Sequence, residues 1–178
     1  GSVYKAVVAI AALEEGVVNE SKTYYCPGHY TLGDRTFYCH SRGGHGTVKL
    51  REALMKSCDV FFYMVGVELG VDRIAKYARM LGLGEKLGVD INMERPGLVP
   101  TSAWKLLVER APWAGGDTPN ISIGQGYNLM TPMQMANLYA TLANGGKVFR
   151  PFLVNKVTNH VGETVYQHKV DMISEASE

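Results

Sequence analysis

Ser2 and Lys5 stand three residues apart at the head of the apolar run Ala6 to Leu13, and Ser57 and Asp59 stand two apart before Val60-Phe61-Phe62-Tyr63. A serine hydroxyl beside a lysine amine is a minimal pair for covalent acyl chemistry: the amine takes the proton and the oxygen attacks a carbonyl. In a helix, i and i+3 share a face, and the unpaired N–H groups of the first turn favour negative charge developing near Ser2. Ser-x-x-Lys alone is weak, since about one match is expected by chance in a chain of this size. Ser102-Ala103-Trp104-Lys105 is indeed a second copy, but it follows Pro100-Thr101, where Thr101 or Ser102 serves as a helix N-cap, and it reads as structural. The first copy gains weight from Ser57 and Asp59, a second hydroxyl and a carboxyl placed in a loop that can meet Ser2 and Lys5.

Asp59 carries a tension. An ionised carboxylate near Lys5 favours the ammonium, whereas a general base must be neutral. Asp59 is then protonated, turned away from Lys5, or balanced by another cation.

The cysteines and one histidine are ordered as Cys26, twelve residues, Cys39, five residues, His45, twelve residues, Cys58. Three thiolates and an imidazole would make a closed, tetrahedral structural zinc site. The alternative is a Cys26–Cys39 disulfide with Cys58 a buried free thiol, and the spacing leaves both open. His40 competes for the histidine position; His29, His160 and His168 read as solvated. Gly124-Gln125-Gly126 reads on its own as a turn before the next helix.

Ser2-x-x-Lys5, Ser57-x-Asp59, Gly44-His45-Gly46, Gly82-Leu83-Gly84 with Gly88-Val89-Asp90, Ile123 to Tyr127, Thr131 to Gln134 and Ala143 to Gly146, in this order, resemble the class B penicillin-binding proteins, closest to the elongation, cell-shape type. The resemblance implies an α+β fold: the mainly helical lobe of the serine β-lactamase/D,D-transpeptidase-like fold, with a few short strands of an incomplete antiparallel sheet. It also implies that residues 1–178 are one partial transpeptidase domain, truncated at both ends, because the family's Lys-[Ser/Thr]-Gly motif does not occur after Ser57. The implied activity is peptidoglycan D,D-transpeptidation. Ser2 would be acylated by D-Ala-D-Ala stem peptides or by β-lactams, with Lys5 as base, Ser57 as proton relay and Asp59 as orienting group. Gly124, Gln125 and Gly126 would border the substrate cleft. Elongation-type members can carry zinc beside the active site, and Cys26, Cys39, His45 and Cys58 fall where such ligands would lie. The implied partners are a glycosyltransferase and the elongation complex, at the periplasmic face of the inner membrane, with the anchor absent here. Without the third motif the fragment itself is expected to be inactive or nearly so. A β-lactam sensor domain and a serine β-lactamase are the alternatives; for the latter, Glu94 and Glu109 are the unassigned candidate bases.

Composition fits an ordinary globular chain, with 46% hydrophobic residues and a net charge of +1, and gives no basic excess to engage nucleic acid. No apolar run approaches the ~20 residues of a membrane span. The length favours one domain. The elements that must position the site read as follows: an opening helix to about Gly16; a hairpin about Gly33-Asp34-Arg35; a helix from Thr47 to Ser57 with Thr47 as cap; a helix from Asp59 to Glu68 stopped at Gly70; and another stopped at Gly82. Beyond these come a glycine-rich loop to Pro100, a helix from Thr101 to Arg110, a turn-rich stretch from Trp113 to Asn120, a helix started by Thr131-Pro132 and ended at Gly145, and a hairpin of Phe149–Val157 with Thr164–Val170.

Overall fold

A computed structural model describes residues 1–176, in two compact units: Gly1–Ala78 with Val99–Asn128, and Arg79–Leu98 with the chain from Leu129 onward. The candidate residues named above all lie in the first unit, apart from Glu94.

The first unit is built around one buried helix. After a 3-10 turn over Ser2–Tyr4 and helix α1 (Lys5–Glu14), two strand pairings and a short helix lead to α3 (Asp59–Leu69), eight of whose eleven residues are buried. Helix α1 covers one side of α3, and the short α6 (Asp117–Ser122) covers another. Gly66 permits that second contact, since a Cβ there would lie 1.7 Å from the Ser122 hydroxyl oxygen. Glu15, at the C-cap of α1, accepts from the Tyr77 hydroxyl at 3.0 Å, which ties α1 to α4 (Val71–Met80).

Strand β1 (Thr23–Cys26) pairs antiparallel with β4 (Gly46–Lys49), Cys26 opposite Gly46. Between them, β2 (His29–Leu32) and β3 (Arg35–Tyr38) form the expected hairpin about Gly33-Asp34. Helix α2 (Leu50–Met55) follows β4 directly. The helix expected from Thr47 therefore begins three residues later, because Thr47, Val48 and Lys49 alternate exposed, buried, exposed and complete a sheet with residues more than twenty positions back. In place of one helix over 101–110 there is a single α-turn, α5 (Ser102–Trp104), and a π-helical turn over Lys105–Glu109. The stretch read as turns, Trp113 to Asn120, runs into α6, whose Pro119 lies in the first turn, where a missing N–H costs nothing.

In the second unit, α7 (Pro132–Ala143) starts as its sequence requires: the Thr131 hydroxyl accepts from the Gln134 N–H, and the Gln134 side chain accepts from the Thr131 N–H. The same buried Gln134 donates to the carbonyls of Glu85 and Pro96, both at 2.8 Å, and so pins the glycine-rich loop. The expected terminal hairpin is shorter, β6 (Lys156–Thr158) with β7 (Thr164–Gln167). Phe149 belongs instead to β5 (Lys147–Phe149), paired with β8 (Met172–Glu175), a non-local partner that turn residues do not announce. His168, expected to be solvated, stacks on Phe152 with ring centroids 3.8 Å apart. Among the described residues no helix is long and apolar enough to cross a membrane.

Candidate functional site

Lys5 is the centre of the site. It opens α1, 2% exposed, and its ammonium reaches three oxygens: Ser57 O at 2.8 Å, Ser57 Oγ at 2.9 Å and Asp59 Oδ1 at 2.6 Å. Three donors meet three acceptors, the full complement of a protonated lysine. Among the described residues no hydrogen bond joins Lys5 to the Ser2 hydroxyl, and at rest Lys5 is held against Ser57 and Asp59. The 3-10 turn still sets Ser2 and Lys5 on one side, since residues i and i+3 eclipse in that geometry.

Asp59 faces Lys5 with one oxygen and His40 with the other. Its Oδ2 accepts from the His40 N–H at 2.9 Å and lies 3.3 Å from His40 Nδ1. Burial raises the carboxyl, but the hydrogen bonds from Lys5 and from the His40 backbone prevail and hold it below the usual carboxylate range. Asp59 also occupies the first turn of α3, where the helix dipole favours an anion. Of the three ways to relieve the tension with Lys5, protonation of Asp59 and turning away are both set aside: the two form a buried ion pair.

The loop that presents Ser57 is constrained on both sides. Ser57 has a left-handed backbone, φ 51°, a conformation that non-glycine residues adopt at a cost of about 1–3 kcal/mol when function or packing enforces it. Cys58, fully buried, follows it; its N–H bonds Ala53 O at 2.8 Å, closing the end of α2 onto the start of α3. Because Ser57 Oγ accepts from Lys5, its own proton remains available to the cleft.

Ser2, Ser57, Asp59, His40, Arg42 and Gln125 line one open cleft of about 500 Å³. Gln125 is the one member of Gly124-Gln125-Gly126 on that wall. Gly124, at φ 71°, lies so close to the nucleophile's turn that a Cβ would sit 2.4 Å from Gly1 O and 2.6 Å from the Tyr4 Cβ, and Gly126 faces Asn120 and Ile121. The two glycines place Gln125 and brace Ser2 from behind.

Next to this cleft lie the four sulfur and nitrogen ligands. Cys26, Cys39, His45 and Cys58 bring their ligand atoms within 4.8 Å of one another, and Cys26 Sγ and Cys39 Sγ each lie 3.6 Å from His45 Nδ1. A zinc tetrahedron with Zn–S of ~2.3 Å and Zn–N of ~2.0 Å has edges of about 3.5–3.8 Å, so the donor set fits that ion. The cysteines are unbridged and buried. Burial pushes the Cys58 thiol up to about 12, against the lowering effect of the Phe61 backbone N–H, and neighbouring Cys26 and Cys39 raise it further. A thiol raised in this way holds its proton unless a cation replaces it. Burial, together with His40, lowers His45 and keeps its imidazole in the neutral, ligating form. His40, the competitor, is engaged by Asp59, and its Nδ1 also lies 3.8 Å from Cys39 Sγ.

The second Ser-x-x-Lys is structural in every contact. Thr101 caps Trp104, Ser102 donates to Asp72 Oδ2 at 2.6 Å, and Lys105 pairs with Asp117 beneath the Trp113 and Tyr127 rings. Glu94 accepts from the N–H groups of Leu87 and Gly88, at 2.7 and 2.9 Å, in a turn of the second unit. Two cleft residues had no signal of their own: His40, bound to Asp59, and Arg42, lying on Tyr38. Alternation gives part of it, since Phe37 and Cys39 point inward while Tyr38 and His40 point outward.

The penicillin binding protein transpeptidase domain family matches residues 1–178. Peptidoglycan D,D-transpeptidase MrdA of Haemophilus influenzae is 35% identical over 164 residues, 91% of this chain and 25% of its own length. The Helicobacter pylori penicillin-binding protein PBP2, solved in complex with MreC, superposes with a TM-score of 0.86 at 31% identity, over 100% of this chain and 31% of that one. Pseudomonas aeruginosa PBP2, solved with WCK 5153, gives 0.83 at 34% identity, over 96% and 40%. The chain thus spans about a quarter of the length of its curated relative.

Proposed function

The chain belongs to the penicillin-binding protein transpeptidase domain family, and on that premise we propose that its cleft carries out acyl transfer on peptidoglycan stem peptides, with Ser2 as nucleophile. The observation that carries the reading is the buried Lys5–Ser57–Asp59 cluster opening into the cleft that Ser2 lines. Lys5 rests as an ammonium paired with Asp59. A substrate that displaces water from the cleft favours the neutral pair, in which Asp59 Oδ1 holds the proton and Lys5 can take that of Ser2. Ser2 Oγ then bonds to the carbonyl carbon between the two D-alanines. The leaving amine receives its proton through Ser57 from Lys5; an amine of a neighbouring strand then bonds to the ester carbonyl carbon, the bond to Ser2 Oγ breaks, and the amine's proton returns to Ser2 Oγ by way of Lys5. β-Lactams acylate Ser2 by the same route.

Cys26, Cys39, His45 and Cys58 would hold zinc as a structural ion. Its chemistry there is to tether Cys58, between Ser57 and Asp59, and so to orient catalysis without taking part in it. No Lys-Ser-Gly or Lys-Thr-Gly occurs within the 178 residues. What the family's third motif contributes to acyl transfer is therefore not supplied by these residues, and the isolated chain turns over slowly. The Haemophilus influenzae MrdA similarity and the MreC complex of the Helicobacter pylori relative support a role in wall elongation, with a scaffold protein of that kind and a glycosyltransferase as partners. Peptidoglycan as the proposed substrate supports a site of action outside the cytoplasm, at the face of the inner membrane. The sensor and β-lactamase readings draw no support from these relatives, and Glu94 is already committed to its turn.

The test is fluorescent penicillin followed by intact-mass and peptide mapping. Slow labelling at Ser2 that Ser2→Ala abolishes is expected. Labelling indifferent to that substitution removes Ser2 as nucleophile, and rapid stoichiometric labelling removes the claim of incompleteness.

A further inference from the structure

The loop from Cys39 to His45 does more than deliver ligands. It closes onto the Pro27-Gly28 turn backbone against backbone: a Cβ on Gly28 would fall 2.1 Å from Arg42 O, and one on Gly44 would fall 2.2 Å from Cys26 O. Hydrogen bonds from Cys39 N to Gly28 O at 2.9 Å and from His45 N to Cys26 O at 3.0 Å fix both ends of the loop. Ser41 Oγ donates to Gly44 O at 3.2 Å inside it. Arg42 is thus exposed but anchored at its backbone, and its guanidinium lies 4.1 Å from the centre of the Tyr38 ring. Tyr38 is itself held, its carbonyl accepting from the Tyr63 hydroxyl at 3.2 Å.

Charge decides what this rigid cation does. Arg42 shares the cleft with Ser2, Ser57 and Gln125. The one carboxylate on that wall, Asp59, is already matched by Lys5, and among the described residues Arg42 has no acidic partner. Stacking on an aromatic face leaves the edge of a guanidinium, with its forked N–H groups, free to bind an anion.

We propose that Arg42, laid on Tyr38, is a binding subsite for a carboxylate of the peptide substrate. The inference rests on reading the cleft as an acyl-transfer site and adds a recognition element to it. Two carboxylates share this chemistry, the terminal one of the D-alanyl-D-alanine end and a side-chain one on the stem, and the probes separate them.

The 178-residue chain is titrated with three peptides while the Arg42 Nε–H resonance is followed by NMR. They are a D-Ala-D-Ala pentapeptide with a free side-chain carboxylate at its third residue, its side-chain amide and its C-terminal amide. One of the two amides binds the unaltered chain about tenfold more weakly than the acid, and identifies the source. Arg42→Met binds acid and amides alike, Arg42→Lys keeps part of the preference, and Tyr38→Leu weakens it by freeing the guanidinium. Absence of binding, equal affinity for acid and both amides, or an unchanged preference in Arg42→Met overturns the proposal. Penicillin labelling of Ser2 in the unaltered chain reports separately on the acyl-transfer reading. Labelling without carboxylate discrimination defeats the subsite alone, and no labelling at Ser2 defeats the reading beneath it.

Discussion

Three oxygens around one ammonium leave Lys5 fully engaged, and the arrangement depends on Asp59 being there to balance it. Asp59→Leu strands a buried cation, which costs about 3–5 kcal/mol. Asp59→Asn keeps an acceptor for Lys5 without the charge. Denaturant unfolding should show a large loss for Asp59→Leu and a smaller one for Asp59→Asn, and neither should keep Ser2 labelling at the rate of the unaltered chain, because neither side chain can take the Lys5 proton. Equal losses would mean that the carboxylate's charge, rather than a hydrogen-bond acceptor, is what the site requires. The three residues of this cluster, and Ser2 beside them, were legible because their types and spacing carry the chemistry. The direction of the Lys5 bonds was not, since the choice between Ser2 and Ser57 depends on a contact across more than fifty residues. His40, read as a competing metal ligand, is also the second partner of Asp59, a contact across nineteen residues that local pattern does not announce.

Helix α1 and helix α4 are joined at Glu15, which takes a hydrogen bond from Tyr77 and faces Arg73 and Lys76, each at 3.6 Å. The Tyr77 hydrogen bond lowers the Glu15 carboxyl below its ordinary value despite opposing burial, and the two cations lower it further. The unfolded chain, with the higher pKa, therefore binds this proton first as pH falls. The contribution of Glu15 is fully present above its unfolded value, near ~4.3, and is lost as pH drops through the depressed folded one. Urea midpoints measured from pH 6 to 3 should fall less steeply in Glu15→Gln than in the unaltered chain; parallel curves would remove the tie. At this scale, capped and glycine-ended elements were legible: the Thr131 box, and the stops at Gly70 and Gly82. Elements defined by distant partners were not. Strand β4 pairs with β1, β5 with β8, and α6 hides a proline in its first turn, so local signals pointed elsewhere.

Within the first unit the cysteine and histidine cluster gathers the end of β1, the segment after β3, the residue before β4 and the cap of α3. Purified chain should carry about one zinc by elemental analysis. Chelation should lower the thermal midpoint and raise hydrogen exchange in β1, β4 and the first turn of α3, because a structural ion supplies folding free energy directly. A protein free of zinc with an oxidised Cys26–Cys39 pair would reverse that assignment. The close approach at Gly28 and Gly44 has a consequence for inheritance. In a scan of every single substitution, these two positions, which bear no side chain and touch no substrate, should be as intolerant as Cys26 or His45. A methyl group at either pushes apart the backbones that carry two ligands, the partner of Asp59 and the cleft arginine, so one missense change would present as several separate defects.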